Sequence, residues 1–106
     1  MSNPRAVALE LLVRVQQSDS YVNLLLPSVL NRSDLADIDR GLVQELGYGA
    51  LRWQLQYDSF ISGLTPGKVL SEKVRITLRL GLHQLFRMRI PAHAAIHETV
   101  ELTKSF

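Results

Sequence analysis

The basic side chains are the groups in this sequence best suited to hold a charged ligand. Nine of the 12 basic residues are Arg and only three are Lys. The guanidinium of Arg binds phosphate through paired N–H donors and stacks on nucleobases. Between Lys68 and Arg89 the chain carries six basic residues and one acid, Glu72. The six are Lys68, Lys73, Arg75, Arg79, Arg87 and Arg89.

Four side chains in this stretch are spaced by four residues and would share one face of a helix. They are Arg75, Arg79, His83 and Arg87. Such a stripe could follow a phosphate backbone, or it could be a solvated face whose long side chains cover a buried helix. The lack of interleaved aromatic residues favours the solvated face, and the sequence leaves both interpretations open. Arg5 and Arg14 form a second basic group, with the same two interpretations.

No other pattern predicts a reactive centre. His93 and His97 are four residues apart, but a lone H-x-x-x-H pair is a weak metal signal. These two histidines are therefore interpreted as surface or capping residues. The run Gly47–Gly49 lies within a helical pattern, so it is not a phosphate-binding loop. Because the chain also contains no cysteine, we predict no catalytic residue, no metal site and no cofactor site in it.

Length and composition predict one globular domain. The 106 residues are 46% hydrophobic and 21% charged, which is an ordinary globular balance. Residues 1–5 lack the apolar core of a signal peptide, and no apolar run approaches the roughly 20 residues of a membrane span. The absence of cysteine fits a reducing compartment, and we expect a cytoplasmic protein.

Five segments with helical spacing must position these side chains. The first begins at Asn3 and Pro4, a capping residue and a favourable first helical residue, and ends near Ser18. The second covers about 21–32 and contains Pro27, so its helix either begins just before Pro27 or bends there. The fifth covers 94–104, beyond a proline that ends the fourth.

The third and fourth segments each allow two interpretations. Apolar residues recur at helical spacing from 37 to 64, as in one long helix or two helices in line. Gly47 and Gly49 within this segment predict close approach of a neighbouring helix. The fourth segment, from Ser71 to Met88, alternates like a strand but also has helical spacing, and its length favours a helix. We therefore predict an all-α domain of about five helices. Acidic residues should complement the dipole at the start of the third segment; they are Asp34, Asp37 and Asp39.

Four runs of residues, in order and with compatible spacing, carry a family resemblance. The clearest is Asp39–Trp53, DRGLVQELGYGALRW. The others are Tyr21–Pro27, Leu78–Leu85 and Arg89–Leu102. Together they resemble the N-terminal NusB-type domain of bacterial 16S ribosomal RNA cytosine-C5 methyltransferases, in which the first run reads DRALVTELVYGTLRW.

The resemblance implies that residues 1–106 form one NusB-like RNA-binding domain, an all-α bundle. It also implies that relatives continue beyond the equivalent of Phe106, so we expect a C-terminally truncated bundle without its methyltransferase domain. S-adenosylmethionine and the catalytic cysteines would belong to that domain. In the related antitermination factor NusB an Arg-rich first helix binds RNA, and Arg5 and Arg14 are the comparable residues here. The run from Ile96 to Lys104 resembles the INEAVELAK run of NusB, so a free antitermination factor is an alternative.

The predicted function is docking of a ribosomal RNA substrate for an S-adenosylmethionine-dependent cytosine-C5 methyltransferase. The candidate RNA-binding residues are Arg5, Arg14, Lys73, Arg75 and Arg79. The expected partners are ribosomal RNA and the catalytic domain of a longer parent chain, and no membrane. An uncovered apolar surface could support a homodimer, and a protein-interaction scaffold is a further alternative.

Overall fold

The computed structural model describes residues 3–104, and over this range the chain forms six α-helices. They are α1 (Pro4–Ser18), α2 (Val22–Arg32), α3 (Asp37–Arg52), α4 (Gln54–Leu64), α5 (Glu72–Phe86) and α6 (Ala92–Thr103). The all-α prediction is confirmed, with six helices in place of about five because the third segment contains two. The expectations placed on Met1 and Phe106 lie outside the described residues.

Polar side chains fix the starts of the helices at the predicted positions. The Oδ1 atom of Asn3 accepts the backbone N–H groups of Arg5 and Ala6 at 2.9 and 3.3 Å. The Oγ atom of Ser71 accepts the N–H of Val74 at 3.2 Å and caps α5. These bonds satisfy donors that have no partner inside the helix.

The third predicted segment divides at Trp53, which ends α3 and precedes α4. Asp37 and Asp39 lie in the first turn of α3, as predicted from the helix dipole. Trp53 has φ −106° and ψ 18°, away from helical values. Its N–H still donates to the carbonyl of Gly49 at 3.1 Å, and its carbonyl accepts the N–H of Tyr57 at 3.0 Å. Backbone hydrogen bonding therefore continues across the break.

The structure also resolves the two other ambiguous segments, the second and the fourth, and each is a single helix. Pro27 lies inside α2, whose first residue is Val22, so the interpretation that the helix begins just before Pro27 is wrong. The fourth segment is the single helix α5, and its strand-like alternation arises because the helix has neighbours on several sides. It packs against α1, α3, α4 and α6.

The core lies between α1, α3 and α5. α1 packs against α2, α3, α5 and α6, so α1 and α5 together reach every other helix. The side chains between them are aliphatic and fully buried, and each contributes roughly 1.5–3 kcal/mol for a residue of Leu or Ile size. They include Ala8, Leu11, Val29, Val43, Leu46, Ala50, Ile76 and Leu80.

Gly47 and Gly49 let α3 approach two neighbouring helices closely, as predicted. A Cβ atom on Gly47 would lie 3.0 Å from Cδ2 of Leu11 in α1. A Cβ atom on Gly49 would overlap the imidazole ring of His83 in α5. The helix-forming penalty of about 1 kcal/mol for each glycine is therefore offset by close helix packing.

Candidate nucleic-acid interface

The basic stripe of α5 faces α4. The Nε and Nη2 atoms of Arg79 donate to the two carboxylate oxygens of Asp58 at 2.7 and 2.9 Å. The Arg79 side chain is only 8% exposed. Nη1 of Arg75 lies 3.8 Å from Oδ1 of the same Asp58. The stripe is thus largely a helix-packing surface, which neither of the two sequence interpretations described.

His83 continues this surface into the core. It is 2% exposed, so at this position the stripe is not a solvated face. Its Nε2 lies 2.8 Å from Oε2 of Glu45, and its Nδ1 lies 2.7 Å from the hydroxyl of Tyr57. Because a carboxylate only accepts hydrogen bonds, Nε2 carries a proton, and Nδ1 shares its hydrogen bond with the Tyr57 hydroxyl. The space for the buried ring comes from the missing side chain of Gly49.

Tyr57 joins His83 to the surface through Arg87. Burial raises the pKa of Tyr57 above its ordinary value of 10.0, although the hydrogen bond and charge of Arg87 act in the opposite direction. Nη1 of Arg87 donates to the Tyr57 hydroxyl at 3.4 Å, and Nη2 donates to Oε1 of Gln56 at 2.6 Å. The phenol therefore stays protonated at neutral pH and helps to position the guanidinium of Arg87.

Arg87 in turn lies over the indole of Trp53. Its Cζ atom is 3.7 Å from the ring centroid, and Cζ of Arg52 is 5.8 Å from the same centroid. An arginine at this distance is attracted to the face of the aromatic ring. Two guanidinium groups and one indole thus come together where α3 meets α4.

A cavity of about 390 Å³ adjoins this cluster. It is called the α3 cavity here because α3 supplies most of its walls. The lining residues are Gly41, Gln44, Glu45, Tyr48, Gly49, Arg52, Trp53 and His83. Aromatic, amide, carboxylate and guanidinium groups therefore surround one volume, which is the set of groups that binds unpaired nucleotides.

A second basic region lies in a cleft between α1, α5 and α6. The cleft has a volume of about 330 Å³ and contains Arg14 and Lys73 in its walls. Glu10 also lines it, with Oε2 at 3.5 Å from Nε of Arg14 and 3.0 Å from Nη2 of Arg32. This cleft is called the basic cleft here. The walls of the cleft thus carry two cations, Arg14 and Lys73, and one carboxylate, Glu10, while Arg32 pairs with this carboxylate from outside the lining.

The structure separates the five residues predicted to bind RNA. Arg14 and Lys73 line the basic cleft. Arg5 is half-buried, and its Nε donates to Oε1 of Gln84 at 2.7 Å. Arg75 and Arg79 turn to Asp58, as described above. Contact of all five residues with RNA stays a prediction, and the geometry brings only Arg14 and Lys73 into one opening.

Sequence reasoning missed the residues that organise the α3–α4 junction. Trp53, Tyr57 and Asp58 were treated only as part of an apolar stripe or not at all. Asp58 directly follows Tyr57, whereas their partners Arg79 and His83 are four residues apart, so the spacing on the two helices does not match and gave no signal of the pairing.

The residues between 3 and 104 offer no group of three or more His, Cys, Asp or Glu side chains placed to hold a metal ion. Gly47 and Gly49 lie inside α3 against other helices, so they do not form a loop that fits a nucleotide cofactor. No helix in this described range is long and apolar enough to cross a membrane.

Comparison with known proteins identifies relatives along nearly the whole chain. The family model described as the NusB family matches residues 2–106. Ribosomal RNA small subunit methyltransferase B of Pseudomonas putida is 43% identical over 100 residues, covering 92% of this chain and 22% of that protein. The proteins of the same name from Pseudomonas syringae pv. tomato and Vibrio vulnificus are 42% and 39% identical, covering 92% and 93% of this chain. The chain spans 22% and 23% of the length of these two relatives.

Proposed function

Because the chain belongs to the NusB family, we propose that it is the RNA-docking domain of an S-adenosylmethionine-dependent ribosomal RNA cytosine-C5 methyltransferase. The names of its relatives specify ribosomal RNA of the small subunit and methyl transfer, which favours this function over a free antitermination factor. In this proposal methyl transfer belongs to a further domain of a longer protein, and this chain supplies RNA binding. We place that protein in the cytoplasm, with the ribosomal RNA.

The observation that carries the proposal is the basic cleft. Arg14 of α1 and Lys73 of α5 are far apart in sequence, yet they line one opening. The side chain of Arg14 is about half exposed, and Arg32 adds a further guanidinium beside Glu10. Cations that converge from two helices can contact successive phosphates of one RNA strand.

The test is the affinity of the chain for small-subunit ribosomal RNA fragments across a salt series. The double variant Arg14→Gln/Lys73→Gln removes two phosphate contacts. It should therefore reduce the slope of log affinity against log salt by about 1.5, since each contact contributes roughly 0.7–0.9. Filter binding or fluorescence anisotropy gives the slope directly.

The matched control is Arg89→Gln, which removes an exposed positive charge beyond the opposite end of α5. Its slope should equal that of the unmodified chain. A binding curve that does not respond to salt, or a control that weakens binding as much per charge as the double variant, would contradict the proposal.

A second candidate function, docking of the catalytic domain, is favoured by an apolar surface on α4, α5 and α6. Its exposed residues are Phe60, Leu64, Leu85, Phe86, Ile96 and Val100. Leu78 and Leu82 line the grooves between them. A contiguous apolar surface of this kind usually marks a protein interface.

Binding of an apolar dye tests this second function. The chain should enhance the dye's fluorescence, and the double variant Phe60→Ser/Val100→Ser should lose most of that enhancement while it stays folded. Light scattering on the same samples shows whether two copies of the chain cover the surface. A monomer without dye binding would argue against a docking surface.

A further inference from the structure

We propose that the α3 cavity binds one unpaired guanine nucleotide of an RNA strand. The inference rests on the proposed RNA-docking function, but it assigns base recognition to a part of the chain separate from the basic cleft. None of the five residues predicted from sequence to bind RNA lines this cavity.

The cavity is shaped by one face of α3. Gln44, Tyr48 and Arg52 follow one another at four-residue intervals, so their side chains project from neighbouring turns of this face. Gly41 lies one helical turn before Glu45 and contributes no side chain, and a Cβ atom there would meet nothing within 4 Å, so this end of the cavity is open. The volume of about 390 Å³ is within the usual range for a small-molecule site.

The wall of the cavity that contains Tyr48 offers an aromatic surface for stacking. Tyr48 is 43% exposed although it lies beside buried Gly47 and Gly49. Every nucleobase can stack on an exposed aromatic ring. Arg52 and Arg87 bring two positive charges to the neighbouring Trp53, and these charges can contact the phosphates on either side of a stacked base.

The carboxylate of Glu45 selects among the bases. It lines the cavity with a half-exposed side chain, and the proton on Nε2 of His83 holds its Oε2 atom at 2.8 Å. A carboxylate accepts hydrogen bonds and donates none. Guanine presents two adjacent donors, N1–H and the 2-amino group, which match the two carboxylate oxygens. Adenine presents an acceptor at N1 and cannot form this pair of bonds.

The same carboxylate argues against other acidic occupants. A phosphate group or an acidic peptide side chain at this wall would face the negative charge of Glu45 at close range. The positive charges lie at the Trp53 end, so the cavity fits a ligand with a donor edge at one end and an anion at the other. A nucleotide of RNA has this arrangement.

The experiment uses the fluorescence of Trp53, the single tryptophan of the chain, which lines the cavity. The unmodified chain is titrated with the RNA pentamers UUGUU, UUAUU and UUIUU, where I is inosine. UUGUU should quench the fluorescence and bind about tenfold more tightly than UUAUU. UUIUU should bind more weakly than UUGUU, because inosine lacks the 2-amino donor.

Substitutions separate stacking from edge recognition. Tyr48→Ala should weaken UUGUU binding about tenfold, since it removes the stacking ring. Glu45→Gln keeps an oxygen that can accept the proton of His83, and it should abolish the preference for guanine over adenine. The matched control Tyr21→Ala removes an exposed tyrosine outside the cavity and should change neither quantity.

The outcomes distinguish this inference from the proposed function. Equal binding of UUGUU and UUAUU, or no effect of Tyr48→Ala, overturns the guanine site, while salt-dependent binding of ribosomal RNA fragments would still support RNA docking. Quenching by a polyglutamate peptide that matches the quenching by UUGUU would also overturn it, in favour of an acidic protein partner. Failure of both ribosomal fragments and pentamers to bind would remove the RNA-docking function itself.

Discussion

The two sides of α5 hold their neighbouring helices by different means. On the α4 side the contact is polar, with Arg79 paired to Asp58 and His83 bonded to Tyr57. On the α6 side the contact is mainly apolar and is formed by small residues, with Gly81 directly against Thr99. A polar contact requires each buried group to keep its partner, whereas an apolar contact depends mainly on volume.

This difference explains why an arginine-rich helix face is not automatically a ligand surface. Among the described helices, α4 packs extensively on α5 alone, and its fully buried residues are Tyr57 and Ile61. With so little apolar burial, the attachment of α4 depends on the polar contacts. Arg75 and Arg79 of α5, which face Asp58, therefore have a structural role before any role in binding.

The largest effect expected on the polar side follows from Asp58→Ala. The change leaves the guanidinium of Arg79 buried without its bidentate partner, so the free energy of unfolding should fall by about 3 kcal/mol. Urea denaturation followed by the fluorescence of Trp53, which adjoins α4, measures the loss. Hydrogen exchange should show that the amides of α4 lose more protection than those of α1.

Glu72→Ala is the matched control for this prediction. Glu72 also faces Arg79, but at 3.9 Å and with a half-exposed side chain, so its removal should change stability by less than about 0.5 kcal/mol. Equal losses in the two variants would mean that the Asp58 pair has no special role and that the polar side does not differ from an ordinary surface.

The second effect comes from Gly49→Ala. The added methyl group would overlap the ring of His83, which cannot move without breaking its hydrogen bonds to Tyr57 and Glu45. We expect a loss of about 2 kcal/mol from overpacking, even after the better helix propensity of Ala. Thermal unfolding by circular dichroism measures it.

Gly63→Ala supplies the comparison, because a Cβ atom on this glycine of α4 meets nothing within 4 Å. That variant should be stabilised, by about 0.5–1 kcal/mol. If Gly49→Ala were stabilised as well, the close approach of α3 to His83 would not constrain the fold.

Features that depend on local sequence were predictable. The cap at Asn3, the acids in the first turn of α3 and the close approach at Gly47 and Gly49 all follow from residues within a few positions of one another. The family resemblance depended on runs of this kind, and the match to the NusB family confirmed it.

Features that depend on which helix lies beside which face were not predictable. The side chains of Arg79 and Asp58 are 21 positions apart, and nothing in either helix alone states that they meet. The four-residue spacing on α5 correctly indicated one shared face. Only the position of α4 determines that this face is covered, and that position results from packing of the whole chain. The α3 cavity was missed for the same reason, since His83 reaches it from α5.

A third prediction concerns pH on the polar side. The pKa of Tyr57 is raised above 10.0 in the folded chain. As pH rises past 10, the unfolded chain therefore releases the phenol proton while the folded chain still keeps it. Its contribution to stability is therefore complete below pH 10 and is lost as pH rises through the raised pKa. Tyr57→Phe should lower stability by about 1.5 kcal/mol at neutral pH, because the buried Nδ1 of His83 loses its hydrogen-bond partner.

The measurement is urea denaturation of both chains from pH 8 to pH 11. The difference in stability between them should shrink as pH rises above 10, since only the unmodified chain can lose this proton. A difference that stays constant over that range would show that Tyr57 has the same pKa in the folded and the unfolded chain, and its hydroxyl would then make no pH-dependent contribution to the polar side.

The smallest effect is expected on the apolar side, from Gly81→Ala. The new methyl group would lie 2.7 Å from Oγ1 and 3.1 Å from Cγ2 of Thr99. Because α6 must then move slightly, the free energy of unfolding should fall by about 1 kcal/mol. Thr99→Ala removes both atoms, and its hydroxyl bonds only to the carbonyl of Ala95 in its own helix. The double variant Gly81→Ala/Thr99→Ala should therefore recover most of the loss, as measured by a double-mutant cycle in urea. On the polar side, adding Arg79→Ala to Asp58→Ala should recover only the penalty for the unpaired guanidinium, because the hydrogen bonds that hold α4 are still lost. If the Gly81 and Thr99 changes were simply additive, the α6 side would not be governed by volume, and the contrast between the two sides of α5 would fail.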